Sequence, residues 1–236
     1  MSSEIPGKDT RRWWALAAVS LATFMTYLDN NIVNVAIPTI QHSLHLSVSG
    51  LEWVVSSYLL TVAGLLLVGG RLADVYGRRR IFLGGLALFT VSSLAAGLAG
   101  NGEVLIASRT IQGIGAALLM PATLAVIMGA FTNVKERTTA IGIWAAVGAL
   151  ALALGPALGG VISQHLHWGW IFLINVPVGV ITFAIAVRYV DESRDTAVAR
   201  RLDLPGLATS AVSLFALTYA LIQGSASGSI ASGRRQ

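Results

Sequence analysis

The sequence predicts an all-α integral membrane protein: a bundle of six helices, one further helix, and an N-terminus in the cytoplasm. Three observations carry this reading. Of 236 residues, 55% are hydrophobic and only 11% charged, against roughly 25% charged in soluble domains, and mean hydropathy is +0.72. Apolar runs of spanning length recur along the chain. Lys and Arg fall in every second connection between those runs.

Apolar runs of about 17–25 residues read as spanning helices. Residues 1–12 form a cytoplasmic N-terminal segment, and runs at 13–36, 53–70, 81–100, 104–130, 139–162 and 170–188 make a bundle over 13–188. Pro38 is expected to end the first helix, since proline removes a helix hydrogen bond. Residues 189–205 read as a cytoplasmic loop, 206–222 as a seventh helix, and the small-residue stretch 223–236 as a flexible tail. Trp13, Trp14, Trp53, Trp168 and Trp170 lie at segment ends, as an interfacial aromatic belt predicts. The first run has no small-residue cleavage site after it and reads as a retained helix, not a signal peptide.

Basic residues orient these elements. Lys8, Arg11 and Arg12 precede the first helix; Arg71, Arg78, Arg79 and Arg80 surround the second connection. Lys135 and Arg137 lie in the fourth, and Arg188, Arg194, Arg200 and Arg201 in the sixth. The other connections hold none. This alternation is the positive-inside pattern, so the net charge of +5 reports topology and an anionic lipid surface, not nucleic acid. Arg234 and Arg235 would then fall outside, unless the seventh segment does not span or the chain is incomplete. The sequence has no cysteine, which excludes disulfides and thiol chemistry.

The first helix holds an anomaly, YLDNNIVNVAIP at 27–38. At about 100° per residue, Ser20, Thr23, Thr26, Tyr27, Asn30, Asn31 and Asn34 share one side with Asp29 at its edge. Leu21, Phe24, Met25, Leu28, Ile32 and Val35 lie opposite. A charge at the centre of a spanning helix costs about 2.5–3.5 kcal/mol on insertion scales. Asp29 and Arg109 are the two ionisable side chains well inside predicted spans, at compatible depths. Two readings stand: a structural ion pair, with Arg109 snorkelling, or a proton site. Burial disfavours the carboxylate charge and a neighbouring arginine favours it, so a moving cavity could load and unload Asp29.

Four more stretches carry information. GRLADVYGRRR, 70–80, supplies Gly70 for close helix packing, Asp74 for a helix N-terminus or basic partner, Gly77 for a tight turn, and Arg78 to Arg80 as a basic loop. RTIQGIGAALLMP, 109–121, puts Arg109 ahead of a small-residue face of Gly113, Gly115 and Ala117. GALALALGPALGG, 148–160, gives the fifth helix a Gly-Pro kink. WGWIFLINVPVG, 168–179, opens the sixth.

In this order and spacing, these stretches resemble the major facilitator superfamily, and more narrowly its fourteen-helix drug:proton antiporter family, from about Trp13 to Gln223. The resemblance implies an N-terminal bundle followed by the first linker helix, and export of drugs or other small lipophilic or cationic compounds in exchange for protons across the cell's inner membrane. It also implies proton coupling by Asp29 and Arg109, and a gating turn of Gly70, Asp74, Gly77, Arg78 and Arg79. An antiporter motif of Gly148, Gly155, Pro156, Gly159 and Gly160 is implied to tighten packing and limit leak, and Tyr27, Asn30, Asn34 and Gln112 to line the cavity. Three departures stand out. Val75 replaces a commonly basic residue, Gly169 separates two tryptophans where Arg is frequent, and Asn31 stands where Thr is common. The second bundle of such a transporter is missing, so the chain reads as a truncated or frameshifted half. On that reading it either pairs with itself or a separate second half, or is a non-transporting fragment or assembly partner. The rest of the Asp29 cavity wall is expected from that other half.

Other classes fit less well. A retinal protein needs a lysine inside the bundle, and Lys8 and Lys135 lie in cytoplasmic segments. His42, His45, His165 and His167 fall in outer loops without a nearby carboxylate except Glu52, so solvated loop residues are favoured over a metal site. With no phosphate-binding loop or nucleophile constellation, an enzyme is not indicated, no cofactor is called for, and a gradient must power transport. Asp29 with Tyr27, Phe24 and Trp53 suits a lipophilic cation, while the resemblance also covers antibiotics exported by their producers.

Overall fold

A computed structural model describes residues 6–194 and 204–233, and every regular element among them is helical. In chain order these are α1 (Pro6–Leu44), α2 (Val48–Tyr76), α3 (Arg78–Gly97), α4 (Gly102–Ala130), α5 (Val134–His165), α6 (Trp170–Leu173), α7 (Asn175–Tyr189) and α8 (Leu204–Gly233). Polar side chains start three of them. Ser47 accepts from Gly50 N–H, Asn101 from Val104 N–H, and Asn133 from Lys135 and Glu136 N–H, relieving the orphan donors of a helix N-terminus.

Several boundaries differ from the sequence expectation. Pro38 does not end α1, which carries it inside the helix. The hydrogen bond lost is the one to the Asn34 carbonyl, on an exposed residue, where the loss is cheap. The predicted sixth helix is broken at Ile174 into α6 and α7, one turn ahead of Pro177, whose missing N–H leaves the Leu173 carbonyl free. The expected tail does not begin at 223, because α8 runs on to Gly233. Its Gly and Ser residues lower helix propensity, but proline is absent after Pro205. Of the predicted loop, 195–203 lies outside the described residues, as do Arg200, Arg201, Arg234 and Arg235.

Among the described residues, α2, α3, α4, α5 and the α6–α7 stretch are long and apolar enough to cross a membrane. At 39 residues α1 is long enough, but the Asp29–Asn34 stretch lowers its mean hydropathy. In α8 the apolar part is shorter, Ala208–Ala220. The aromatic belt is also thinner than predicted. Trp13, Trp14, Trp53 and Trp170 are exposed, whereas Trp168 is buried and donates to Ser43 Oγ at 3.0 Å.

The bundle assembles from two sets of three. Helix α4 packs on α2 and α3, α1 packs on α5 and α7, and the sets meet through α1–α4 and α3–α7. Exchanging the two halves maps α1–α5 onto α4–α2 and α1–α7 onto α4–α3. Because α1 and α4 run in opposite senses, this is the pattern of an inverted three-helix repeat. Helix α8 docks outside, on α2, where Gly64 meets Phe215 and Trp53 lies 6.3 Å from Tyr219.

Glycine sets the close approaches, though not always the glycine expected. A Cβ on Gly69 would collide with the Ala117 carbonyl of α4, whereas one on Gly70 would meet Pro121 at an ordinary 3.5 Å. The intimate α2–α4 contact therefore belongs to Gly69. The small residues of α4 form two faces, not one. A Cβ on Gly113 would lie 2.8 Å from the Tyr58 carbonyl of α2, and one on Gly115 would lie 2.7 Å from Phe89 N of α3. On α5, Gly148, Gly155 and Gly159 back onto Tyr27, Asn31 and Ile32 of α1, while Gly160 has open space and Pro156 is exposed.

Candidate functional site

Asp29 sits on α1 with 0% of its surface exposed, and Arg109 on α4 with 1%. Arg109 Nη1 donates to Asp29 Oδ2 at 2.5 Å. The other carboxylate oxygen, Oδ1, accepts from Gln112 Nε2 at 2.8 Å and from Asn175 Nδ2 at 2.9 Å. Each donor sits where its helix register puts it. Gln112 lies one turn beyond Arg109 on the same face of α4, and Asn175 opens α7 just after the Ile174 break.

The outer partners close the network. Arg109 Nη1 also donates to Gln112 Oε1 at 2.7 Å, and Arg109 Nε to the Val54 carbonyl of α2 at 3.3 Å. Ser93 Oγ of α3 accepts from Gln112 Nε2 at 2.8 Å and Asn175 Nδ2 at 3.5 Å. The Tyr58 ring lies 4.2 Å from the guanidinium carbon and the Phe172 ring 5.5 Å. Elements α1, α2, α3, α4, α6 and α7 thus all reach one ion pair. A buried pair holds only when its remaining hydrogen-bonding capacity is met, and here both carboxylate oxygens are. Three side chains from two helices, Arg109 and Gln112 of α4 and Asn175 of α7, thus converge as donors on one carboxylate.

This placement corrects the sequence expectation. The second wall beside Asp29 comes wholly from this bundle, not from another half. Gln112, expected at a cavity surface, is buried inside the network. Tyr27 and Asn31, both half-buried, meet α5 at Gly148 and Gly155, and Thr23 on the same side accepts from Trp144 Nε1 at 2.7 Å. Asn30 is half-buried and Asn34 exposed. Phe24 is half-buried and Trp53 stands on the α8 side of α2, so the three aromatics do not gather with Asp29. Sequence reasoning missed Asn175, Ser93, Tyr58 and Phe172. The readable signal was Asn175, an amide inside an apolar run that demands partners for the reason Asp29 does.

A second cluster lies at the basic end. Gly77 alone separates α2 from α3 and takes φ 116°, a conformation glycine adopts without penalty. The Glu192 carboxylate fills the space a Gly77 side chain would need. It accepts from Arg79 N–H at 3.2 Å and lies 3.5 Å from Arg80 Nε. Arg78 N–H donates to the Ser193 carbonyl at 3.0 Å, and Arg79 Nη2 to the Val187 carbonyl at 2.6 Å. Asp74 meets Arg78 across the turn at 3.7 Å. Around it, Arg11 pairs with Asp191 and Arg12 with Glu136, both at 2.7 Å. At the opposite end, His42 and His167 line an open groove of about 440 Å³ with Pro38, Thr39, Ser43, Leu166 and Trp168.

Comparison with known proteins agrees with this architecture. The chain is 39% identical over 222 residues to the puromycin resistance protein pur8 of Streptomyces alboniger, covering 94% of this chain and 44% of that one. It is 44% identical to the multidrug resistance protein Stp of Mycobacterium tuberculosis (strain CDC 1551 / Oshkosh), over 89% of this chain and 39% of the relative. To the methylenomycin A resistance protein of Bacillus subtilis (strain 168) it is 42% identical, over 90% and 45%. The chain therefore spans less than half the length of these curated relatives. The sequence model of the Major Facilitator Superfamily matches residues 19–233, nearly the whole multi-pass bundle, and the chain belongs to that superfamily.

Proposed function

We propose that this bundle is the N-terminal half of a proton-coupled exporter of drugs or other small lipophilic or cationic compounds in the cell's inner membrane, with its N-terminus in the cytoplasm. The observation that carries the reading is the Asp29–Arg109 pair, enclosed in a superfamily member whose relatives are named for resistance to puromycin, methylenomycin A and multiple drugs. Asp29 has a partner and two neutral amide donors, Gln112 and Asn175, which can release a carboxylic acid more cheaply than a second cation could. Asp29 and Arg109 are the proton-coupling residues in this reading. The Gly70–Arg79 turn, clamped by Glu192, is the gate. The Gly148–Gly160 stretch of α5 seals the bundle on α1, and the exposed Asn34 with Asn30 borders the substrate cavity facing a second bundle.

The test joins this chain to the second half of one of these relatives, in everted membrane vesicles, and follows dye-driven proton release. Release by the wild-type pairing and its loss in Asp29→Asn is the expected result. Proton release that survives Asp29→Asn removes the coupling role. Absence of release with every substrate and every second half leaves the chain as a non-transporting assembly partner.

A further inference from the structure

The pairing of Asp29 with Arg109 raises a second problem: what holds Arg109 when Asp29 is neutral. A buried guanidinium without its counter-ion costs several kcal/mol in principle, and Arg109 is enclosed from all sides. Gln112 and the Val54 carbonyl then accept its hydrogens, but neither carries charge. The faces of the guanidinium are another matter. Tyr58 of α2 and Phe172 of α6, both buried, approach it at 4.2 and 5.5 Å, within the range over which an aromatic face attracts a cation.

Both rings are held in place. Tyr58 reaches the guanidinium because Gly113, one turn beyond Arg109, lets the α2 backbone approach α4 to a distance a Cβ would prevent. Phe172 meets Trp168 edge-on at 6.3 Å, and Trp168 is tied to Ser43 of α1. The Tyr58 hydroxyl has no hydrogen-bond partner among the described residues, so the ring, not the hydroxyl, makes the contact.

We propose that Tyr58 and Phe172 form an aromatic clamp that carries the Arg109 charge while Asp29 is protonated, and thereby set the pH at which Asp29 takes up its proton. They are positioning residues, and the proposal rests on the proton-site reading above. The sign follows from electrostatics. A ring face attracts the guanidinium in both states, but it also opposes the nearby Asp29 carboxylate, so its net contribution is larger once Asp29 is neutral. Removing a face disfavours the protonated state, and protonation then needs a lower pH. Among the described residues, Tyr58 of α2 and Tyr27 of α1 are the other titratable groups around the pair. Ser93 of α3, Gln112 of α4, Phe172 of α6 and Asn175 of α7 do not titrate in this range, and the α5 residues facing α1 at this level are Gly148 and Gly155.

The experiment is infrared titration of the whole chain in lipid nanodiscs. The carboxylic-acid band of Asp29 is identified as the one absent in Asp29→Asn. Tyr58→Phe, which keeps the face, should leave the midpoint of that band unchanged. Tyr58→Leu should lower it by about one pH unit, the scale of a desolvated cation–π contact. Phe172→Leu should lower it by less, and it provides the directional test should Tyr58→Leu fail to fold. A midpoint unmoved in both leucine variants, or moved as far by Tyr58→Phe as by Tyr58→Leu, overturns the clamp. A wild-type chain with no Asp29 band at any pH overturns the proton-site reading itself.

Discussion

Removing Arg109 while keeping Asp29 would strand a carboxylate in an interior where breaking a buried pair costs about 3–5 kcal/mol. Arg109→Gln should therefore destabilise the chain by about that much, read from tryptophan fluorescence during thermal unfolding in detergent. Adding Asp29→Asn should recover a substantial part, because the orphaned charge is then gone. If the double variant is as unstable as the single, the pair is not the unit the geometry describes. Asn175 is a milder case. Asn175→Leu removes one charge-assisted donor and leaves the other two, so a loss of about 1–3 kcal/mol is expected in the same assay. No loss would mean that the 2.9 Å contact to Oδ1 contributes little.

Between elements, stability turns on where one helix backbone meets another. Gly69→Ala drives a methyl group into the Ala117 carbonyl of α4, while Gly70→Ala meets only Pro121 at 3.5 Å. Overpacking costs about 1–3 kcal/mol, so the first should lower the unfolding midpoint and the second should not. The same contrast is expected on α5 between Gly155→Ala, 2.7 Å from Asn31 Cβ, and Gly160→Ala, which faces open space. Equal tolerance of both members of either pair would contradict the packing described. At the α2–α3 turn, Gly77→Ala must bear an unfavourable φ and displace Glu192. A strained backbone position costs about 1–3 kcal/mol, and the released turn should be cleaved faster by trypsin at Arg78–Arg80. Unchanged cleavage would show that the turn does not depend on the Gly77–Glu192 contact.

For the molecule as a whole, the consequential finding is that the Asp29 network closes inside one six-helix bundle. The chain on its own should therefore depend on Asp29: Asp29→Ala should weaken the isolated chain, by leaving Arg109 and two amides without their acceptor. A neutral or stabilising effect in the isolated chain would mean that the site is completed by another bundle. The six-helix reading, the Gly77 turn and the meeting of Asp29 with Arg109 were legible in the sequence. Composition, spacing and the rarity of charge in apolar runs report on one segment at a time, or on two at equal depth. Less legible were the identity of the close-approach glycine, the burial of Trp168, the passage of α1 through Pro38, and the partners Asn175, Ser93 and Tyr58.

By itself, then, the sequence determined that the chain spans a membrane as helices, that a turn falls at Gly77, and that a charge at Asp29 demands a partner. These follow from one-dimensional constraints: hydropathy, glycine and proline geometry, and the cost of an unpaired charge. The tertiary structure alone decided which side of α1 faces the core, so that Asn31 and Tyr27 meet α5 and Asp29 is an enclosed centre. Helix rotation is set by the joint packing of several faces, here by Gly69, Gly113 and Gly155 admitting neighbouring backbones, and no single helix carries that information.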